Sequence, residues 1–115
     1  SKNNLNMVLT HLDDQSEEVR CEQAKILRDH LEGKHNPFVL LGDFNSSSDG
    51  RCFQHLINDN FVSNPYLGKS TYPSGKPDVQ IDYILTSSGL SIYDYHTIAT
   101  KVSDHLPVIG DIIID

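Results

Sequence analysis

The sequence predicts a layered α/β or α+β sandwich, and three observations support this. Short apolar segments with alternating or β-branched residues recur along the chain, a helical pattern follows the first of them, and turn-rich stretches separate the others. Strands and helices mixed in this order are typical of layered α/β folds. The 115 residues have room for one domain, and residues 1–115 show no repeat and no internal boundary.

Alternation predicts the first strand over residues 5–11, "LNMVLTH", with His11 at its end. "FVLLG" (38–42) is apolar on both faces, as in a strand between two layers. "VQIDYIL" (79–85) places Tyr83 and Leu85 on one face and Asp82 on the other. Further strands are predicted around "LSIYDYHTIA" (90–99) and "PVIGDIII" (107–114).

A helix of about 16 residues is predicted after Ser16, which is a suitable N-cap, and Gly33 is a suitable terminator. Its apolar stripe consists of Cys21, Ala24, Leu27 and Leu31, whereas Val19 and Ile26 lie off this stripe. A short second helix carries Phe53, Leu56 and Ile57.

The two cysteines, Cys21 and Cys52, have no ligand spacing, and both fall in predicted helices. We therefore expect free, buried thiols rather than a disulfide.

The formal charge of −7 disfavours a protein that grips nucleic acid through a basic face, but not an enzyme that reaches phosphates through a bound cation. No apolar stretch is long enough to span a membrane, and the sequence leaves the localisation unknown.

Polar side chains interrupt the apolar segments at their ends. They are His11 in "THLDD", Asp43 and Asn45 in "GDFN", Asp82 in "QIDYIL", and Asp104 with His105 in "SDHLP". Each alone has an ordinary explanation, such as an Asx turn at Asp43 and Asn45 or a lysine partner for Asp82. Because a carboxylate beside apolar strands is costly unless it is paired or metal-bound, the whole set indicates a common site.

Four segments resemble, in order and spacing, the motifs of the endonuclease/exonuclease/phosphatase superfamily, the metal-dependent phosphoesterases with the DNase I-like fold. The segments are "THLD" (10–13), "LLGDFN" (40–45), "IDYIL" (81–85) and "SDHLPV" (103–108). The resemblance implies half of a four-layer α/β sandwich, with one mixed β-sheet and two or so helices on its outer face. A complete domain of this kind runs to ~250 residues, so the chain corresponds to the C-terminal half.

The resemblance also implies roles for the polar residues. Asp82 and His105 would form a dyad that orients or deprotonates the attacking water. Asp43 would hold this water or a metal, and Asp104 would be a metal ligand.

Two further residues would contact the phosphate. Asn45 would donate to a phosphate oxygen, and His11 would donate to the phosphate in the transition state. We expect Asn45 to face the same side as Asp43, because residues two apart in a strand do so.

Hard oxygen ligands suit Mg²⁺, with Mn²⁺ possible, and no organic cofactor is implied. The family's N-terminal half supplies a glutamate that ligates the metal, and no residue here corresponds to it. We therefore expect the chain alone to be weak or inactive. Its exposed apolar sheet face would be covered by the N-terminal half or by self-association.

The substrate class stays open between nucleic acid, an inositol phosphate and a lipid headgroup. Residues 64–78 form a predicted surface loop, in which Tyr66, Tyr72, Lys69 and Lys76 could bind substrate or simply be solvated. The alternative to a phosphoesterase is a non-catalytic binding or scaffolding module that retains the fold.

Overall fold

The computed structural model describes residues 4–32, 37–63 and 65–114. Strands β1 (Asn6–His11), β2 (Phe38–Asp43) and β3 (Asp82–Thr86) form one sheet in that order, with β1 parallel and β3 antiparallel to β2. Strands β4 (Leu90–Thr97) and β5 (Val108–Ile114) form an antiparallel pair. The predicted α/β class with a mixed sheet is confirmed.

Helices α1 (Glu17–Leu31) and α2 (Arg51–Ile57) cover one face of the three-stranded sheet, and a short 3-10 turn over Asn58–Asn60 follows α2. Helix α1 begins as predicted, because the Ser16 side chain accepts from the Val19 N–H at 3.2 Å. The predicted stripe is also confirmed, since Ala24 is fully buried whereas Ile26 is 63% exposed. The predicted terminator Gly33 lies outside the described residues.

Alternation along the strands separates the two faces of this sheet. Val8, Leu40 and Leu85 are register partners that join the core under the helices. The neighbouring partners Leu9, Leu41 and Ile84 point to the opposite face, where Leu9 is 79% exposed. One face is therefore a packed core, whereas the other exposes Met7 and Leu9 of β1 and buries Val39 of β2.

The prediction of free cysteines is wrong, because Cys21 on α1 and Cys52 on α2 form a disulfide. The pairing depends on how the two helices pack, which places the two Cα atoms 4.4 Å apart across 31 residues of sequence. Arg28 strengthens the same contact by donating to the carbonyl oxygens of His55 and Asn58 at 3.1 Å. Spacing along the chain carries no signal of such a tertiary contact.

Residues 65–78 contain no helix or named strand, as predicted for this loop, and a single bridge pairs Tyr72 with Val79. Among the described helices, none is long and apolar enough to cross a membrane.

Gly42 lets β1 and β2 approach closely at their carboxyl ends. Its φ is +140°, and a Cβ at this position would lie 1.9 Å from the carbonyl oxygen of Thr10. No L side chain fits this geometry without separating the two strands.

We expect Gly42→Ala to lower the free energy of unfolding by about 3 kcal/mol, because it adds both backbone strain and a clash with β1. Gly75→Ala is the matched control, since nothing lies within 4 Å of a Cβ there, and its effect should stay within about 0.5 kcal/mol. Urea unfolding of the two variants measures the difference. Equal stability would show that β1 and β2 do not approach as closely as described.

Candidate active site

Three of the predicted site residues lie side by side across the sheet. His11 is the register partner of Asp43, and Asp43 is the register partner of Asp82. They occupy the ends of β1 and β2 and the start of β3, on the face opposite the helices. Ligands of open α/β sheets commonly bind at the carboxyl ends of strands.

Asp82 forms a short hydrogen bond with His105, which reaches the sheet from the loop before β5. The Nδ1 of His105 lies 2.7 Å from Oδ2 of Asp82. Since a carboxylate only accepts, Nδ1 carries the proton in this contact, and neutral His105 keeps a lone pair on Nε2. This Nε2 lies 3.7 Å from Oδ2 of Asp43, so the basic nitrogen faces Asp43.

Asp43 is close to both histidines, because its Oδ2 also lies 3.5 Å from Nε2 of His11. Its side chain is 17% exposed, whereas that of His11 is 74% exposed. Burial raises the pKa of Asp43 above its usual value, and the negative charge of Asp82 adds to this. The N–H of Asn45 and the charges of His105 and His11 oppose the rise only in part.

Asn45 does not continue β2, so the expectation of strand geometry at this position is wrong. Strand β2 ends at Asp43, Phe44 turns into the core, and Asn45 has a φ of 47°. The Asn45 N–H donates to Oδ1 of Asp43 at 2.9 Å, which is an Asx turn. Its side-chain amide donates to the carbonyl oxygen of Leu12 at 2.7 Å.

The segment Asp43–Asn45 therefore forms an Asx turn and also contributes side chains to the candidate site. The Asx turn brings Asn45 back to the cleft beside Asp43, and its bond to Leu12 ties the end of β2 to the end of β1. An amide nitrogen has two hydrogens, so the contact with Leu12 leaves one available.

The cleft has a volume of about 400 Å³. Its walls include five of the six polar residues predicted at the strand ends, and the sixth, Asp82, is hydrogen-bonded to His105. The lining residues are His11, Asp14, Asp43, Asn45, Tyr72, Ile81, Asp104 and His105.

Asp14 was missed because a second carboxylate in "LDD" looks like an ordinary loop residue. Tyr72 lies 5.0 Å from His105, measured between ring centroids.

Tyr66, Lys69 and Lys76 are not among the residues that line the cleft. Tyr66 instead stacks on Tyr95 at 4.7 Å and donates to the carbonyl oxygen of Ile92. Both lysine side chains are exposed. Of the loop residues proposed to bind substrate, only Tyr72 borders the cleft.

One oxygen of Asp43, one of Asp82 and one nitrogen of His105 lie within 4.8 Å of one another. This group could hold a metal ion, and exposed Asp104 adds a further carboxylate to the wall of the same cleft. The donors fit a divalent cation, because two or more hard carboxylates meet without a thiolate.

The fold and the cleft define an α/β protein with a carboxylate–histidine cluster at the end of its sheet. The profile of the Endonuclease/Exonuclease/phosphatase family matches residues 4–105. The chain belongs to this family. Among curated proteins, none matches the sequence.

Solved structures show the same fold at low sequence identity. An endonuclease/exonuclease/phosphatase family protein from Bacteroides thetaiotaomicron is 20% identical, with a TM-score of 0.80 over 95% of this chain and 49% of its own. The mannosyl-6-phosphatase Bt3783 from the same organism is 18% identical, with a TM-score of 0.71 over 94% of this chain and 51% of its own.

The human Nocturnin catalytic domain, which was solved with a bound sulfate anion, is 19% identical. Its TM-score is 0.67 over 93% of this chain and 46% of its own. The chain therefore spans about half the length of the solved structures that it matches.

The hydrogen bond between Asp82 and His105 affects the pKa of His105 and, through it, the dependence of stability on pH. Burial lowers the pKa of His105, but the bond to Asp82 and the charges of Asp82, Asp43 and Asp104 outweigh burial, so this pKa lies above its ordinary value of 6.5. The raised pKa stabilises the fold fully below the unfolded-state pKa. That stabilisation is lost as the pH rises through the folded-state pKa.

We expect Asp82→Asn to lower the pKa of His105 in the metal-free protein. Between the unfolded-state and folded-state pKa of His105, the free energy of unfolding of this variant should therefore fall less with rising pH than that of the unsubstituted protein. NMR titration of the His105 ring and urea unfolding on both sides of the window provide the measurements. Asp111→Asn, an exposed carboxylate on β5, should change neither. An unchanged His105 pKa in Asp82→Asn would contradict the paired geometry.

Proposed function

We propose that this chain is part of a divalent-metal-dependent phosphoesterase that hydrolyses a phosphomonoester or phosphodiester. The observation that carries the proposal is the 2.7 Å contact between Asp82 and His105, which turns the basic Nε2 toward Asp43. A base held in one tautomer by a carboxylate, at the edge of an open cleft, is suited to activate a water.

Each side chain then has a distinct task. His105 takes the proton of the attacking water at Nε2, while Asp82 fixes the ring and stabilises the imidazolium that results. The remaining amide hydrogen of Asn45 donates to a phosphate oxygen, which a carboxylate could not do. His11, which is exposed and borders the cleft, donates to the phosphoryl group as negative charge develops there.

The metal is proposed to be Mg²⁺, with Mn²⁺ as an alternative, held by the carboxylates of Asp43 and Asp104. When bound, a divalent cation supplies positive charge for the phosphoryl oxygens and lowers the pKa of its water. Asp82 and His105 could join the ligand set, but His105 Nδ1 is already committed to Asp82 at 2.7 Å. Mg²⁺ also prefers oxygen to imidazole nitrogen.

The substrate class is open among a nucleic acid, an inositol phosphate, a sugar phosphate and a lipid headgroup. The structural relatives include a mannosyl-6-phosphatase and a catalytic domain with bound sulfate, which supports a phosphate-like anion and leaves the rest of the substrate unspecified. Because the chain spans about half of these relatives, we propose that the longer polypeptide containing it is the active form.

We expect the 115-residue chain to have little or no activity, and the longer polypeptide to hydrolyse at least one substrate with Mg²⁺ and none with EDTA. The panel is bis-nitrophenyl phosphate, DNA, RNA, an inositol phosphate, mannose 6-phosphate and sphingomyelin. His105→Ala should lower kcat by about 100-fold or more. His55→Ala is the matched control on α2, and its kcat should be unchanged.

Two outcomes would contradict this proposal. Metal-independent turnover that His105→Ala does not change would exclude the assigned base. A folded, metal-binding longer polypeptide that hydrolyses nothing in the panel would favour the non-catalytic module.

The apolar face of the sheet is proposed to be covered by the rest of the longer polypeptide, and by a second copy when the chain is isolated. Met7 and Leu9 are 66% and 79% exposed. Leu9 borders a groove of about 220 Å³ with Leu41, Ile84 and Val108, next to Asp43 and Asp82. Exposed apolar faces of this kind commonly mark interfaces.

We expect the isolated chain to self-associate as its concentration rises, and Leu9→Lys to make it monomeric. Ile26→Lys is the matched control, because Ile26 is 63% exposed but lies on the helical side. Light scattering over a concentration series measures the mass. A chain that stays monomeric at high concentration, or an equal effect of both substitutions, would contradict this interface.

A further inference from the structure

The segment Thr71–Ser74 is hydrogen-bonded to the backbone next to both members of the proposed dyad. Its first residue pairs with the chain that leads into β3, because the N–H groups of Thr71 and Tyr72 both donate to the carbonyl oxygen of Val79. Asp82, at the start of β3, is three residues beyond Val79. The segment thus runs beside the Asp82 side of the cleft.

The Thr71 side chain contacts the backbone of Asp82 directly. It is fully buried, and its Oγ1 accepts from the N–H of Ile81 at 3.2 Å and from the N–H of Asp82 at 3.3 Å. A buried hydroxyl is costly unless it is hydrogen-bonded. Valine would fill nearly the same volume, so packing alone does not require the hydroxyl.

The same segment holds the His105 side of the dyad. The carbonyl oxygen of Thr71 accepts from the N–H of Leu106 at 2.8 Å, and the N–H of Ser74 donates to the carbonyl oxygen of Asp104 at 2.8 Å. The Ser74 hydroxyl donates to the carbonyl oxygen of Ser103 at 2.6 Å. His105 is thus anchored on both sides through its chain neighbours.

These contacts meet at one residue. The Thr71 hydroxyl fixes the backbone that carries Asp82, and the Thr71 carbonyl fixes the residue that follows His105. Asp82 and His105 are 23 residues apart in sequence, and Thr71 is bonded to the backbone on both sides of this contact. A displacement of Thr71 would shift one partner relative to the other.

We propose that Thr71 is a positioning residue that sets the hydrogen bond between Asp82 and His105. It acts through these two groups and touches no reacting atom. The catalytic meaning of this role rests on the proposed function, whereas the geometric role does not.

The test observes the hydrogen bond itself. In the metal-free 115-residue chain, the proton on His105 Nδ1 should give a strongly downfield NMR resonance, and Asp82→Asn should abolish it, which assigns the signal. We expect Thr71→Ser to retain the resonance, because it keeps the hydroxyl, and Thr71→Val to lose it or shift it upfield.

Thr86→Val is the matched control, since Thr86 is 1% exposed and lies on the same strand as Asp82. It should retain the resonance even if urea unfolding shows a similar loss of stability. Loss of the resonance in Thr71→Ser, or equal behaviour of Thr71→Val and Thr86→Val, would overturn the proposal. If Thr71→Val does not fold, Thr71→Ala replaces it; loss of the resonance in Thr71→Ala with retention in Thr71→Ser supports the role of the hydroxyl, and retention in both overturns it.

Absence of phosphoester hydrolysis would overturn the proposed function without changing this resonance. The two failures are therefore distinguishable.

Discussion

The pairing register of β1, β2 and β3 is the constraint on which the rest of the site depends. It places His11, Asp43 and Asp82 in one row across the sheet, and Gly42 permits the close approach of β1 and β2 just before this row. A shift of one residue in any strand would turn its polar side chain toward the core under the helices. The register that packs the core therefore also assembles the cleft.

The cleft brings two carboxylates close together, which costs folding free energy. Asp43 and Asp82 repel each other, and partial burial raises the pKa of Asp43. His105 offsets part of this repulsion, and a bound cation would offset more. The disulfide and the Arg28 contacts stabilise the helical side, which is away from the cleft. Stability and chemistry are thus provided by opposite faces of one sheet.

Local sequence patterns predicted much of this structure. The features that they did not predict depend on contacts between residues far apart in the sequence. The Ser16 cap and the α1 stripe depend on residues close in sequence, and both were correct. The disulfide between Cys21 and Cys52 depends on helix packing, so spacing could not reveal it. An Asx turn at Asp43 and Asn45 was one of two interpretations of "GDFN", and the structure has this turn in place of a continued strand. Tyr66 had two interpretations, a substrate contact or a solvated loop residue, and neither predicted that its ring stacks on Tyr95.

The alternation along the strands has a consequence for how substitutions should be interpreted. In β2, Leu40 faces the helices, whereas Leu41 and Asp43 face the other way. Neighbouring positions in β2 therefore have different roles. One side chain packs in the core under the helices, and the next lies on the face that carries the cleft and the proposed interface. A comparison of homologous sequences should therefore show different substitutions at odd and even positions within each strand of the three-stranded sheet.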